Sequence, residues 1–213
     1  MKKWKLYTSI AVLVIMTCLL GLGIYASITS YNGVTNQTEF VSGDENVFVK
    51  IAGTYTGPTP QSANYQLTYN YELNRENSSA FEQTPATLPV WYVGKTNFKA
   101  RTEETLTFVF ELTNLNTEYE LEVAISGIAT DYDNHFSTTY YIYDVGSSDS
   151  GNGTKLTPEN NNIYSMSIPT FTLGKTEQDN KKAIKVVFEL ESYAEDFEFE
   201  NNMKINFSSK IEA

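Results

Sequence analysis

The chain has 213 residues, with 26 acidic against 15 basic side chains, a formal net charge of −11, one cysteine and one histidine. An acidic surface of this kind repels nucleic acid and anionic lipid, which argues against both as partners. Its 15 Tyr and 12 Phe, set among abundant Thr, Ser and Asn, favour pleated strands joined by polar turns over helices.

Lys2, Lys3 and Lys5 precede an uncharged apolar run over 6–26, and no acidic residue occurs before Glu39. A positive start followed by an apolar segment is the pattern of an export signal or a single membrane anchor. The most apolar part, 10–24, is 15 residues long, short for a hydrocarbon core of about 30 Å at about 1.5 Å per residue, and fits a cleaved signal. The full run of 21 residues, with Trp4, Tyr7 and Tyr25 at the interfaces, fits an anchor. The small residues leading to Ala26 favour a peptidase cut between Ala26 and Ser27. Either way the rest of the chain is expected outside the cytoplasm, extracellular or at the cell surface, touching the membrane only through this segment. The lone Cys18 lies inside the run without a lipoprotein box, so the mature chain is expected to hold no disulfide. After Ala26 there remain 12 basic and 26 acidic residues, a net charge of −14.

Residues 27–45 read as an extended N-terminal segment. Ile28, Tyr31, Val34 and Phe40 stand in it among polar, nearly uncharged neighbours, as in a strand able to complete the sheet of another copy. A stalk, or the first strand of its own domain, fits the same residues. Residues 46–213 read as one β-sandwich domain. Period-two alternation marks Tyr65, Leu67, Tyr69, Tyr71 and Leu73; then Leu106, Phe108, Phe110 and Leu112; then Tyr119, Leu121, Val123 and Ile125; then Ile184, Val186, Phe188 and Leu190; and last Met203, Ile205 and Phe207. These are the expected core. Weaker strands are expected over 47–56, 90–93, 138–145 and 163–173, the last at a sheet edge because of Pro169. Turn-rich stretches occupy 57–62, 74–85 and 146–154. Residues 109–122 resemble 187–200, and each reads as a hairpin with Glu on its outer face. The fold class is therefore all-β, an antiparallel β-sandwich or jelly roll, preceded by a signal peptide or membrane-anchor helix.

A catalytic constellation is hard to assemble. His135 is the only histidine, there is no His-Glu-X-X-His, no Gly-X-Ser-X-Gly elbow and no cysteine nucleophile after Ala26, so no enzymatic activity, cofactor or metal is expected. The 131–135 run, Asp-Tyr-Asp-Asn-His, places oxygen ligands like the start of a calcium loop but lacks its glycine and distal Glu, and reads as a surface turn. Trp91, Tyr92, Tyr141 and Tyr143 offer rings on both faces of short strands, and two or three coplanar exposed rings would stack on sugar.

The 21–30 junction, Gly-Leu-Gly-Ile-Tyr-Ala-Ser-Ile-Thr-Ser, followed by an all-β chain without cysteine, resembles the TasA and camelysin-like secreted bacterial proteins. The resemblance implies export by a dedicated signal peptidase, a jelly-roll domain, and a cell-surface or biofilm-matrix protein whose N-terminal segment completes a sheet of the next subunit. On that expectation, Asp at Val34 or Phe40 blocks polymerisation and leaves the monomer folded. The expected function is structural or adhesive, with self-association or a cell-surface polymer as partner. A carbohydrate-binding sandwich tethered at the surface is the alternative. The 211–213 end carries no sorting signal, so covalent wall attachment is not expected.

Overall fold

The computed structural model describes residues 31–61, 65–74, 90–99, 104–130, 135–146, 153–157, 165–190 and 198–210. The 1–26 run, Ser27, Ile28 and residues 131–134 lie outside them. Eleven strands and no helix occur among the described residues: β1 (Tyr31–Ser42), β2 (Val49–Thr56), β3 (Thr68–Leu73), β4 (Val90–Lys99), β5 (Thr105–Asn114), β6 (Glu120–Ala129), β7 (Phe136–Asp144), β8 (Thr154–Leu156), β9 (Ser165–Leu173), β10 (Lys181–Leu190) and β11 (Glu198–Lys210). They form two sheets, one ordered β4-β1-β11-β6-β9 and the other β3-β2-β5-β10-β7-β8.

The sheets face each other through the alternating residues. Leu106, Phe108, Phe110 and Leu112 of β5, with Ile184, Val186 and Phe188 of β10, pack against Leu121, Val123 and Ile125 of β6 and Met203, Ile205 and Phe207 of β11. Aromatic rings cross the gap: Phe40 meets Phe110 at 6.0 Å, Trp91 meets Phe110 at 5.6 Å, and Phe136 stacks on Phe199 at 4.1 Å. Burial of this kind is the main stabilising term in a chain with no disulfide to restrain it. The intervening Glu111, Glu122, Glu189, Glu198 and Glu200 lie in solvent. β9 with Pro169 is an edge strand, where a missing N–H breaks no ladder.

Four details differ from the sequence reading. Tyr65 and Leu67 precede β3 and stay outside the core, with Leu67 exposed; Tyr119 precedes β6 and is half-buried. The short β8, which starts at the last residue of the 146–154 turn stretch, edges the second sheet where no strand was expected. One strand pair, β1 with β11, is parallel, while every other pair among the described strands is antiparallel.

The two similar segments are not hairpins. β5 and β10 lie in one sheet, bonded to each other, and each chain crosses to the other sheet, where β6 and β11 are bonded to each other. Phe108 pairs with Val186 and Ser126 with Lys204, so in each sheet one pair of residues related by the offset that aligns the two segments sits directly opposite. The similar stretches are thus related by a pseudo-twofold axis through the centre of the sandwich. Alternation alone is blind to this, because a strand that turns back and a strand that changes sheets bury one face equally well.

The sheet change after β5 is built by amides. The buried Asn114 donates its Nδ2 to the carbonyls of Tyr119 and Gly174, each at 2.9 Å, and its Oδ1 accepts the Asn116 N–H. Asn116 in turn donates to the Asn46 carbonyl and accepts from the Glu118 N–H. Asn114→Ala strips the donor from the buried Gly174 carbonyl and the half-buried Tyr119 carbonyl, so urea denaturation is expected to show a loss of about 3 kcal/mol; a loss below about 1 kcal/mol would mean that water replaces the amide.

β6 leaves β11 at Gly127, whose φ of +73° is left-handed and whose Cβ, if present, would strike the Asn202 carbonyl. Beyond it, Asn201 Oδ1 takes over as acceptor for the Ala129 N–H at 3.2 Å.

Candidate functional site

β1 carries the residues expected to pair with another copy. It is an inner strand of its own sheet, between β4 and β11, so the sandwich includes residues 31–42 and does not begin at 46. Its inward side chains, Val34, Asn36, Thr38 and Phe40, are all buried. The side chain of Tyr31, at the start of β1, lies outside the described residues. Neither β4 nor β11 adjoins β1 in sequence, and β1 leads through 43–48 into β2 of the opposite sheet. Taking β1 away would leave a slot with a strand on each side, a full set of unpaired backbone groups on both, and an apolar floor.

Two features of this slot bear on exchange. Asn36 and Asn201 stand opposite each other in the parallel register, both buried, with Asn201 Nδ2 3.5 Å from Asn36 Oδ1 and Asn36 Nδ2 lacking any protein partner. A polar pair at one position of an apolar seam sets register at a cost in stability, since a slip would bury both amides against hydrocarbon. The second feature is the β1 end. Gly43 N–H donates to the Phe207 carbonyl at 2.7 Å, Asp44 Oδ2 accepts the Ser209 N–H at 2.6 Å, and Asp44 Oδ1 accepts the Asn46 N–H at 2.9 Å. β1 is thus clipped onto β11 at its exit.

The outer face over β1 carries a groove of about 210 Å³ lined by Gly33, Thr35, Lys95, Glu198, Phe199 and Glu200. Gly33 opens it, because a Cβ there would sit 2.7 Å from Lys95 Cε. Lys95 is paired with Glu198, and Glu200 accepts a hydrogen bond from Asn202. Among the described residues, no group of three or more His, Cys, Asp or Glu side chains is placed to hold a metal ion.

The expected sugar-stacking rings do not form one surface. Trp91 is 2% exposed, packed on Tyr69, Phe108 and Phe110, with Nε1 donating to the Gln66 carbonyl at 3.0 Å. It belongs to the core and offers no open ring face. The reason lies in β4: Trp91 and Val93 point inward, and a bulge at Gly94, with φ of +94°, lets the strand regain its phase at Thr96. Tyr92 is 46% exposed on the outer face of the first sheet, across from Gln37. Tyr141 and Tyr143 lie half-buried on the outer face of the second sheet. Lys185 Nζ sits 5.1 Å from the Tyr141 ring centre, and Gly153 packs against the same ring so closely that a Cβ would collide with it.

Titration adds little chemistry. Burial raises the Tyr55 and Tyr69 hydroxyls above the ordinary tyrosine range; Tyr55 donates to the Pro58 carbonyl, and the Tyr69 hydroxyl is buried without a partner. Hydrogen bonds from the Thr176 hydroxyl and N–H hold the exposed Asp179 carboxyl below its usual value. The strand over 31–42 was foreshadowed by Val34, Phe40 and Val41; the Asn36 and Asn201 pair was not, since two Asn 165 positions apart carry no local signal.

No family model matches the chain, and no curated protein matches it. Among solved structures it is similar to the Fcho1 Mu homology domain of Danio rerio with bound Eps15 peptide, at 6% identity over 86% of this chain and 98% of that one, with a TM-score of 0.25. A likeness at that score carries no argument about fold or function.

Proposed function

We propose that the chain is exported through its N-terminal segment and serves as a structural or adhesive protein of the cell surface or extracellular matrix, without enzymatic activity, its copies joining by exchange of β1. The observation that carries this reading is the position of β1: an inner strand in the one parallel pairing among the described strands, discontinuous in sequence with both neighbours. A strand so placed gives an identical copy the same backbone bonds and the same floor, so exchange costs only the opening of the slot. The sandwich is then of the jelly-roll kind, as in the TasA and camelysin-like proteins, with 1–26 as signal or anchor. The carbohydrate-binding alternative draws no support from Trp91, which is enclosed, or from Tyr92 and Tyr141, which face opposite ways.

Thr35 and Lys95 are cross-strand partners on the outer face of β1 and β4, and their Cα separation in an antiparallel pair, about 5 Å, suits a disulfide. In a Cys18→Ser background, Thr35→Cys with Lys95→Cys reports whose slot β1 fills. Exchange is expected to give species linked between chains on non-reducing gels. A disulfide closed only within single chains at every concentration would overturn the exchange reading.

A further inference from the structure

We infer that exchange of β1 closes two copies into a reciprocal pair, pole against pole, through an apolar rim formed by Phe48, Leu115 and Val145. The inference rests on the exchange reading and fixes the geometry that reading leaves open.

The reach of the chain after β1 limits how two copies can join. β1 ends at Ser42 and β2 begins at Val49, at the same pole of the sandwich, since Val49 pairs with Asn114 at the end of β5 and Ser42 with Phe207 near the end of β11. Seven backbone steps separate Ser42 from Val49, at most about 25 Å when fully extended. In a head-to-tail stack of copies in one orientation, the connection would have to climb the height of a subunit, which for the ten residues of β5 is about 33 Å. To cover that distance the chain would have to draw Val41 and Phe40 out of the sheet, and Phe40 is stacked on Tyr69 at 5.2 Å.

The clips shorten the reach further. Gly43 and Asp44 are bonded to β11, and the Asn46 carbonyl accepts from Asn116 Nδ2 while the Phe48 carbonyl accepts the Leu115 N–H. In an exchanged pair the first set re-forms on the partner's β11 and the second stays with the home subunit. The crossing then falls at Glu45, and the chain from Asp44 to Asn46 spans about 7 Å. Two poles joined by such a bridge lie against each other. Each copy then offers an open slot at the same junction, so the second exchange is intramolecular and closes the pair.

What lies at that pole fits the contact. Phe48 at the β2 entry, Leu115 at the β5 exit and Val145 after β7 are 44%, 46% and 37% exposed. β2, β5, β10 and β7 are consecutive in the second sheet, and these three residues lie at one end of it, Phe48 bonded to Leu115 through the backbone and Val145 beyond the exposed Lys181 that begins β10. Three of the five exposed large apolar residues of the described chain thus gather beside the crossing point. Side-by-side copies would leave them in water, whereas a pole-to-pole pair covers them.

The test uses the full secreted chain with Cys18→Ser, Thr35→Cys and Lys95→Cys, on non-reducing gels and by sedimentation, with and without Phe48→Asp and Leu115→Asp. Cross-linking is expected to stop at two chains, and the two acidic changes are expected to weaken the pair about tenfold or more without altering monomer unfolding. Leu115→Asp alone, at a site already in solvent, is expected to act in the same direction. A ladder beyond two chains would keep exchange and overturn the closed pair. Dimers indifferent to both acidic changes would overturn the apolar contact. Disulfides confined to single chains would overturn exchange itself.

Discussion

Phe40→Asp is expected to leave no folded protein in water, while Phe40→Leu is expected to fold with a loss of about 1–2 kcal/mol. Phe40 is fully buried in β1, stacked on Tyr69 and edge-on to Phe110. Removing such a ring costs about 3–5 kcal/mol from lost transfer energy and cavity, and a carboxylate left there has no cation or N–H donor to offset its desolvation. The sum reaches the whole stability of an ordinary domain, about 5–15 kcal/mol. Far-UV circular dichroism and urea titration of the secreted chain decide it. A Phe40→Asp chain with a native melt would place β1 outside its own sandwich. The same burial applies to Val34, so acidic changes at either position remove the fold together with any polymer. They cannot serve as the selective block that the sequence suggested, which is why the cross-link between β1 and β4 is the sharper probe.

Much of the architecture was legible because one chemical signal carries it. Leu106, Phe108, Phe110 and Leu112 in β5, Ile184, Val186, Phe188 and Leu190 in β10, and Met203, Ile205 and Phe207 in β11 recur at every second position and all are buried, so the alternation found strands, core and solvated Glu face together. Partners were not legible. Whether 115–119 turns back within a sheet or changes sheets depends on the amides of Asn114 and Asn116, which grip residues far away in sequence. β4 was seen only as far as Val93 because the bulge at Gly94 breaks its phase. The Trp91 and Tyr92 pair shows the same limit: adjacency in a strand puts one ring inside and one outside, and only the opposing sheet decides which.

The pseudo-twofold relation of β5–β6 to β10–β11 sharpens the reading of β1. In the first sheet the axis carries β11 onto β6, so the neighbour of β11 corresponds to the neighbour of β6. β9 meets β6 antiparallel, whereas β1 meets β11 parallel. β1 therefore departs from the symmetry that relates β5 and β6 to β10 and β11.

Trp91→Ala is expected to lower stability by about 4 kcal/mol, whatever the protein binds. Its indole fills the space between the sheets, with Tyr69 at 5.9 Å, Phe108 at 5.9 Å and Phe110 at 5.6 Å, and its N–H satisfies the Gln66 carbonyl. Gly53 marks how tightly the ring is held, since a Cβ there would lie 2.9 Å from Trp91 Cζ3. Loss of the ring opens a cavity that these flat neighbours cannot refill, and the Gln66 carbonyl loses its donor. Tyr92→Ala, on the outer face, is expected to stay within about 0.5 kcal/mol of the parent. Urea denaturation alongside retention on insoluble polysaccharide separates the two roles. If the parent chain is retained, Trp91→Ala is expected to reduce retention only as far as it populates the unfolded state, so stabilising osmolyte should restore it. Native stability combined with lost retention would put the indole on the surface and return the sugar-binding reading to the front.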